Sequence, residues 1–214
     1  MSDGQLRTAI KKAAQRFLAH PDAPQTLVLT GIMGVGKTAI GRRLAVVLRQ
    51  RFVDSDQEIE RAAGMKITEI FDRFGEAHFR DRERAVIIRL LQDNIGVIAI
   101  GGGAFIDAQT RQAILDGALA VWLRAPLAVL VERTAKRNTR PLLKTGDPKI
   151  ILSDLLEKRK QAYAQAQIHA NSSLGRLDRT VLSVLNKANK HLYGPGQFPH
   201  HRGGYRPSKP SALK

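Results

Sequence analysis

The stretch GIMGVGKT, residues 31–38, satisfies the pattern G-x-x-x-x-G-K-[ST]. Its chemistry is phosphate binding. Gly31, Gly34 and Gly36 let backbone amides turn inward around phosphate oxygens, Lys37 reaches the β- and γ-phosphates, and Thr38 offers a hydroxyl to Mg²⁺. A glycine turn can match such a pattern by chance, so the flanks decide: TLVLT (26–30) reads as an apolar strand and AIGRRLAVVLRQ (39–50) as a helix. A nucleoside triphosphate is the expected ligand. The second candidate is FVDSDQEIE (52–60), in which Asp54 and Asp56 flank Ser55. In an extended chain the two carboxylates share one face. Taken alone, Asp and Ser there read as a turn and a helix start. Beside a phosphate-binding loop, at the carboxyl end of a second strand where open α/β sheets bind ligands, they gain roles. Asp54 is placed to sit near Mg²⁺, and Asp56 to orient or deprotonate an acceptor hydroxyl.

Proteins with this loop differ in what receives the phosphate. No N-K-x-D guanine motif is present, which argues against a GTPase. A chain of 214 residues without a strand-terminal DE is a poor match to a helicase or transporter ATPase. Small kinases of this size pass the phosphoryl group to a metabolite.

The elements that must position these residues follow a simple order. After the strand 51–55 come short helices in QEIERAAG and KITEIFDRFG, each closed by a glycine suited to a C-cap. A longer amphipathic helix follows over 76–93, then a buried strand GVIAI (96–100) ending in GGG. A helix near 107–116, a strand ALAVWL (118–123) and a helix PLAVLVERTAKR with Pro126 in its first turn come next. NTRPLLKTGDP (138–148) breaks periodicity and reads as a loop. The chain then runs through a helix near 149–167, a weak strand near 167–170 and a helix near 177–190. Alternating strands and helices predict an α/β fold, a parallel sheet covered on both faces.

Three segments are expected: a helical N-terminal extension over 1–24, the α/β domain over 25–192, and a disordered Gly/Pro-rich basic tail over 193–214. The hydrophobic share of 43% suits a soluble core, and no run is apolar enough for a membrane span. Zero cysteines exclude disulfides and thiolate sites, and the cytoplasm is the expected compartment. The net charge of +16 favours anionic partners, nucleotides and acidic metabolites as well as nucleic acid.

In chain order the sequence carries GIMGVGKT, DSD, FRDRE (79–83), GGG (101–103), RPLL (140–143) and RKQAY (159–163). This series strongly resembles the shikimate kinase family over about residues 26–190. The resemblance implies a P-loop NTPase three-layer sandwich of the nucleoside monophosphate kinase type with a mobile lid. It implies ATP and Mg²⁺ as cofactors, shikimate as substrate, and phosphorylation of its 3-hydroxyl on the route to aromatic amino acids. Gly34, Val35, Gly36, Lys37, Thr38 and Ala39, with Arg133 against adenine and Arg140 from the lid, would hold the nucleotide. Asp56, Arg80, Gly102, Gly103 and Arg159 would line the shikimate site, and Thr38 and Asp54 would hold Mg²⁺. Lys37, Asp56 and Arg140 would carry catalysis. One departure stands out, Gln161 where the family pattern R-x-P-x-Y has proline.

The residue types agree with this. A guanidinium fork matches a carboxylate better than an ammonium does, so Arg80 and Arg159 suit an acidic substrate. The alternative for Arg80 is a surface pair with Glu83, worth about 0.2–0.5 kcal/mol, and both can hold if Glu83 positions Arg80. The alternative for Arg159 is a solvated face within EKRK. Three glycines let a ligand approach the backbone, and Arg140 before Pro141 suits a lid that delivers charge on closing. The six histidines show no metal-ligand spacing, Trp122 reads as core, and Phe71, Phe74 and Phe79 are expected to pack near the substrate region. Two other functions remain open: a kinase for another polyol acid such as gluconate, and a nucleic-acid-binding P-loop protein. Aromatic residues at only 5% leave little stacking surface for the latter, so no specific nucleic acid, no membrane and a monomer are expected.

Overall fold

The computed structural model describes residues 1–135, 146–172 and 175–194. Arg140 with most of its loop, and the basic tail past Gly194, lie outside the described residues. Five parallel strands form one sheet: β1 (Leu27–Thr30), β2 (Phe52–Asp54), β3 (Val97–Ala99), β4 (Leu119–Arg124) and β5 (Ile168–Asn171), in the order β2-β3-β1-β4-β5. Central β1 pairs Leu27 with Val97 on one side and with Leu119 on the other. The alternation of side chains sorts the strands into two cores. Leu27, Leu29, Val97, Val121 and Ile168 face one hydrophobic cluster, while Val28, Ile98, Ala120 and Trp122 face the other. Both faces are apolar, as a parallel sheet requires when helices cover both sides.

The eight α-helices among the described residues are α1 (Asp3–Leu18), α2 (Lys37–Leu48), α3 (Ser55–Ala63), α4 (Ile67–Gln92), α5 (Ala108–Gly117), α6 (Leu127–Ala135), α7 (Pro148–Tyr163) and α8 (Leu177–Tyr193). Several start on side-chain caps. Ser2 and Gln5 form a capping box on α1, and Asp107 accepts from Thr110 N at 2.8 Å on α5. Asp147 accepts from Lys149 N at 2.8 Å on α7, with Pro148 in the first turn.

The two helices read over 66–75 and 76–93 are both present within α4, and they part where Gly75 leaves helical geometry at φ 79° and ψ 174°. A glycine suited to a C-cap also suits a kink, and here the chain resumes its helix. A short 3-10 turn, Ala104–Ile106, follows the glycine run. Phe74, expected to pack near the substrate region, is instead 52% exposed at the end of the first of the two α4 helices, its ring 4.9 Å from that of His78. Trp122 is buried as expected.

The N-terminal helix is tied into the main core. Leu6, Ile10, Ala13, Ala14 and Phe17 belong to the same cluster as Leu27 and Leu44, and they pack on α8. Asn189 of α8 donates to the Ala13 carbonyl at 2.9 Å within that contact. No helix among the described residues is long and apolar enough to cross a membrane.

Candidate active site

At the carboxyl ends of the strands, the turn after β1 winds through Gly31, Gly34 and Gly36, all with positive φ, before α2 begins at Lys37. A Cβ at Gly31 would lie 2.5 Å from the Leu123 carbonyl, so the turn can run this close to β4 only without a side chain. Lys37 Nζ donates to the Gly31 carbonyl at 2.7 Å and to that of Ile32 at 3.3 Å, which holds the ammonium over the loop. Val35, expected at the nucleotide, is fully buried, and its N–H donates to the Ile32 carbonyl at 3.4 Å. Gly34, Gly36, Thr38 and Ala39 line the cleft.

The DSD question resolves into a division between residues. Strand β2 ends at Asp54, and Ser55 is already helical, so the two aspartates do not share a strand face. The reason is the cap itself: Asp54 Oδ1 accepts from Asp56 N at 3.2 Å and starts α3. Asp54 Oδ2 also accepts from Thr38 Oγ1 at 2.8 Å, which brings a hydroxyl and a carboxylate together beside the phosphate loop. Asp56, in the first turn of α3, faces the cleft. Burial pushes its carboxyl above the ordinary aspartate range, the Asp54 charge adds to this, and Lys37 and Arg80 pull the other way without cancelling it. Ser55 between them is fully buried, and its Oγ accepts from Gly101 N at 3.2 Å. That bond joins DSD to GGG. Its one sequence signal, a serine between two aspartates, reads equally as a cap.

Each glycine of GGG has a charged neighbour where a Cβ would stand. At Gly101 it would meet Glu83 Oε1 at 2.7 Å and Asp56 Oδ1 at 2.8 Å; at Gly103 it would meet Arg80 Nη1 at 2.7 Å. Arg80 Nη1 donates to Glu83 Oε2 at 2.6 Å, and Arg80 Nη2 donates to Glu76 at 3.1 Å. Glu83 is 2% exposed, so the surface-pair alternative fails: the pair is a half-buried support for the guanidinium. Burial raises the Glu83 carboxyl above its ordinary value against the pull of Arg80. Arg159 on α7 points into the same cleft, not into solvent, and its Nη1 donates to the Gly102 carbonyl at 3.1 Å. Phe71 and Phe79 form an apolar wall beside these groups.

On the far side, Arg133 of α6 lines the cleft and donates from Nη1 to Ser172 Oγ at 3.0 Å. Ser172, Leu177 and Thr180 line this end too, and the sequence offers no signal that selects them from ANSSLG and the helix beyond. The whole cavity holds about 730 Å³, with the phosphate loop at one end and Arg80 and Arg159 at the other. Chemically it offers a polyphosphate cradle, a carboxylate of raised proton affinity and two guanidinium groups within one space. Among the described residues no group of three or more His, Asp or Glu side chains could hold a metal by itself. A cation here would lean on few protein oxygens, as Mg²⁺ does at substrate phosphates.

Comparison with known proteins points one way. A family model described as shikimate kinase matches residues 33–189. A shikimate kinase of Paramagnetospirillum magneticum is 50% identical over 161 residues, which are 75% of this chain and 83% of that protein. One from Bradyrhizobium diazoefficiens is 45% identical over 194 residues, covering 91% of this chain and 93% of the relative. Among solved structures, shikimate kinase from Acinetobacter baumannii in complex with shikimate superposes with a TM-score of 0.73 at 35% identity, over 81% of this chain and 95% of that one. With sequence and backbone alike shared over most of its length, the chain belongs to the shikimate kinase family.

Proposed function

We propose that the protein transfers the γ-phosphoryl group of ATP to the 3-hydroxyl of shikimate, giving shikimate 3-phosphate and ADP. The observation that carries this reading is the single cleft joining Lys37 and Thr38 to Asp56, Arg80 and Arg159. Backbone amides of Gly34 and of 36–39 and the Lys37 ammonium bind the nucleotide phosphates, with Arg133 at the base. Arg80 and Arg159 grip the substrate carboxylate, and Gly102 and Gly103 leave room for it against the backbone. Asp56 accepts the proton of the attacking hydroxyl. The new bond joins the substrate oxygen to the γ-phosphorus, and the bond to the bridging oxygen of ADP breaks. Thr38 and Asp54 would hold Mg²⁺, Asp54 through water, and the fit rests on their paired oxygens 2.8 Å apart. When bound, the ion neutralises charge on the phosphates. Arg140 would add a further cation from the loop. The protein acts as a monomer in this reading.

The raised proton affinity of Asp56 suits a general base, whose pKa works best when it approaches the operating pH. Phosphorus NMR of a reaction of ATP, Mg²⁺ and shikimate tests the reading. A phosphate ester whose phosphorus couples to the ring proton at C3 is expected, and Lys37→Ala should remove most of it. Inorganic phosphate as the only product would contradict it.

A further inference from the structure

Tyr163 lies one helical turn beyond Arg159 on α7, so both side chains leave the same face of the helix. Its ring is fully buried and sits 5.7 Å from the Trp122 ring, centroid to centroid. Its hydroxyl donates to the Gly102 carbonyl, the same oxygen that takes Arg159 Nη1 at 3.1 Å. A carbonyl oxygen has two lone pairs, and here two donors from one helix occupy them. Burial raises the phenol above its ordinary value, so the hydroxyl remains a proton donor across the working range. A Cβ at Gly102 would stand 3.3 Å from Arg159 Nη1 and 3.6 Å from Tyr163 Oη, so both side chains pack closely against this residue.

We propose that Tyr163 is a positioning residue for substrate binding, acting through the Gly102 carbonyl on the glycine turn and on Arg159. The peptide unit is planar and trans, so a carbonyl fixed toward α7 turns the Gly103 N–H to the opposite side. The hydroxyl gives the Gly102 carbonyl a second donor beside Arg159 Nη1, and the other N–H groups of the guanidinium remain for a ligand. On the other flank the turn is held at Gly101 N by buried Ser55. The inference rests on the proposed shikimate reading of this cleft, and it concerns affinity for the acidic substrate, not the nucleotide.

Tyr163→Phe removes one oxygen and keeps the ring. Loss of one net hydrogen bond corresponds to about a three- to tenfold rise in the shikimate KM. The ATP KM and kcat are expected to stay within about twofold, since Lys37, Thr38 and Asp56 are untouched. In an Arg159→Lys background the same substitution should have a smaller effect, because both donors act on one carbonyl. Trp122→Phe loosens the ring's packing but keeps the hydroxyl, and should lower Tm without moving the shikimate KM. An unchanged shikimate KM in Tyr163→Phe, or equal rises in both KM values, overturns the inference while wild-type turnover of shikimate leaves the proposed function standing. Wild-type enzyme that releases no ADP on adding shikimate overturns both.

Discussion

Replacing Gly101 with alanine would put a methyl carbon 2.7 Å from Glu83 Oε1 and 2.8 Å from Asp56 Oδ1. Ordinary contact begins near 3.4 Å, so each contact must open by about 0.6–0.7 Å, through movement of the carboxylates or of the turn itself. Glu83 is poorly able to move: it is 2% exposed and tied to Arg80 at 2.6 Å. The turn must therefore shift away from Glu83, and Asp56, which opens onto the cleft, is pushed aside with it. Misplacement of a reacting group by about 1 Å costs on the order of 10²-fold, so Gly101→Ala should lose roughly tenfold or more in kcat. The fold should survive, since overpacking costs about 1–3 kcal/mol and a carboxylate moving toward solvent lies at the low end. Gly103→Ala is the matched control, because its methyl meets Arg80 Nη1 at 2.7 Å and Nη2 at 2.8 Å. It should raise the shikimate KM more than it lowers kcat. Steady-state ADP release with thermal melts reads all of these quantities. Wild-type kcat in Gly101→Ala, or one kinetic pattern for both variants, would refute the assignment of Asp56 to chemistry and Arg80 to binding.

Asp54→Asn should raise the Mg²⁺ concentration needed for half-maximal rate, because an amide replaces the carboxylate beside Thr38; an unchanged Mg²⁺ titration would count against that site. Asp56→Asn should lower turnover by about 10²–10⁴-fold, the usual loss of a general base, and yet raise Tm at neutral pH. The folded chain holds the Asp56 proton more tightly than the unfolded chain, so the ionised form costs stability above the folded pKa. That cost disappears as pH falls through the folded value toward the unfolded one, and the advantage of the variant should shrink over the same window. A chain beginning at Gln25 should fail to fold. Burial of Leu6, Ile10 and Phe17 is worth about 1.5–3 kcal/mol apiece, which approaches the 5–15 kcal/mol that holds a whole domain together. A cooperative melt near that of the full chain would show that α1 is dispensable.

What the sequence discloses, and what it conceals, follows from the range over which each signal acts. The phosphate loop and the strands are local patterns, and their geometry is set by neighbours within a few residues. The glycine run could be placed by the same means. Its reason could not: the four charged groups around it, Asp56, Glu83, Arg80 and Arg159, come from three different helices. Arg159 within EKRK looks solvated until the sheet carries α7 over Gly102. Ser55 and Ser172 are ordinary serines by pattern, and only the partners Gly101 and Arg133 set them apart. The N-terminal helix reads as an extension because its apolar stripe does not announce which element covers it. Packing on α8, more than 150 residues later, supplies that answer.

The most direct test of the account is ADP release by the full chain with ATP and Mg²⁺ in the presence of shikimate, quinate or gluconate in parallel. The proposed chemistry predicts ADP release that depends on shikimate and saturates with it, with quinate and gluconate far less effective, and loss of that dependence in Lys37→Ala. ADP release that is indifferent to shikimate, or faster with gluconate than with shikimate, would contradict the claim that Arg80, Arg159 and the glycine turn are built for this acid.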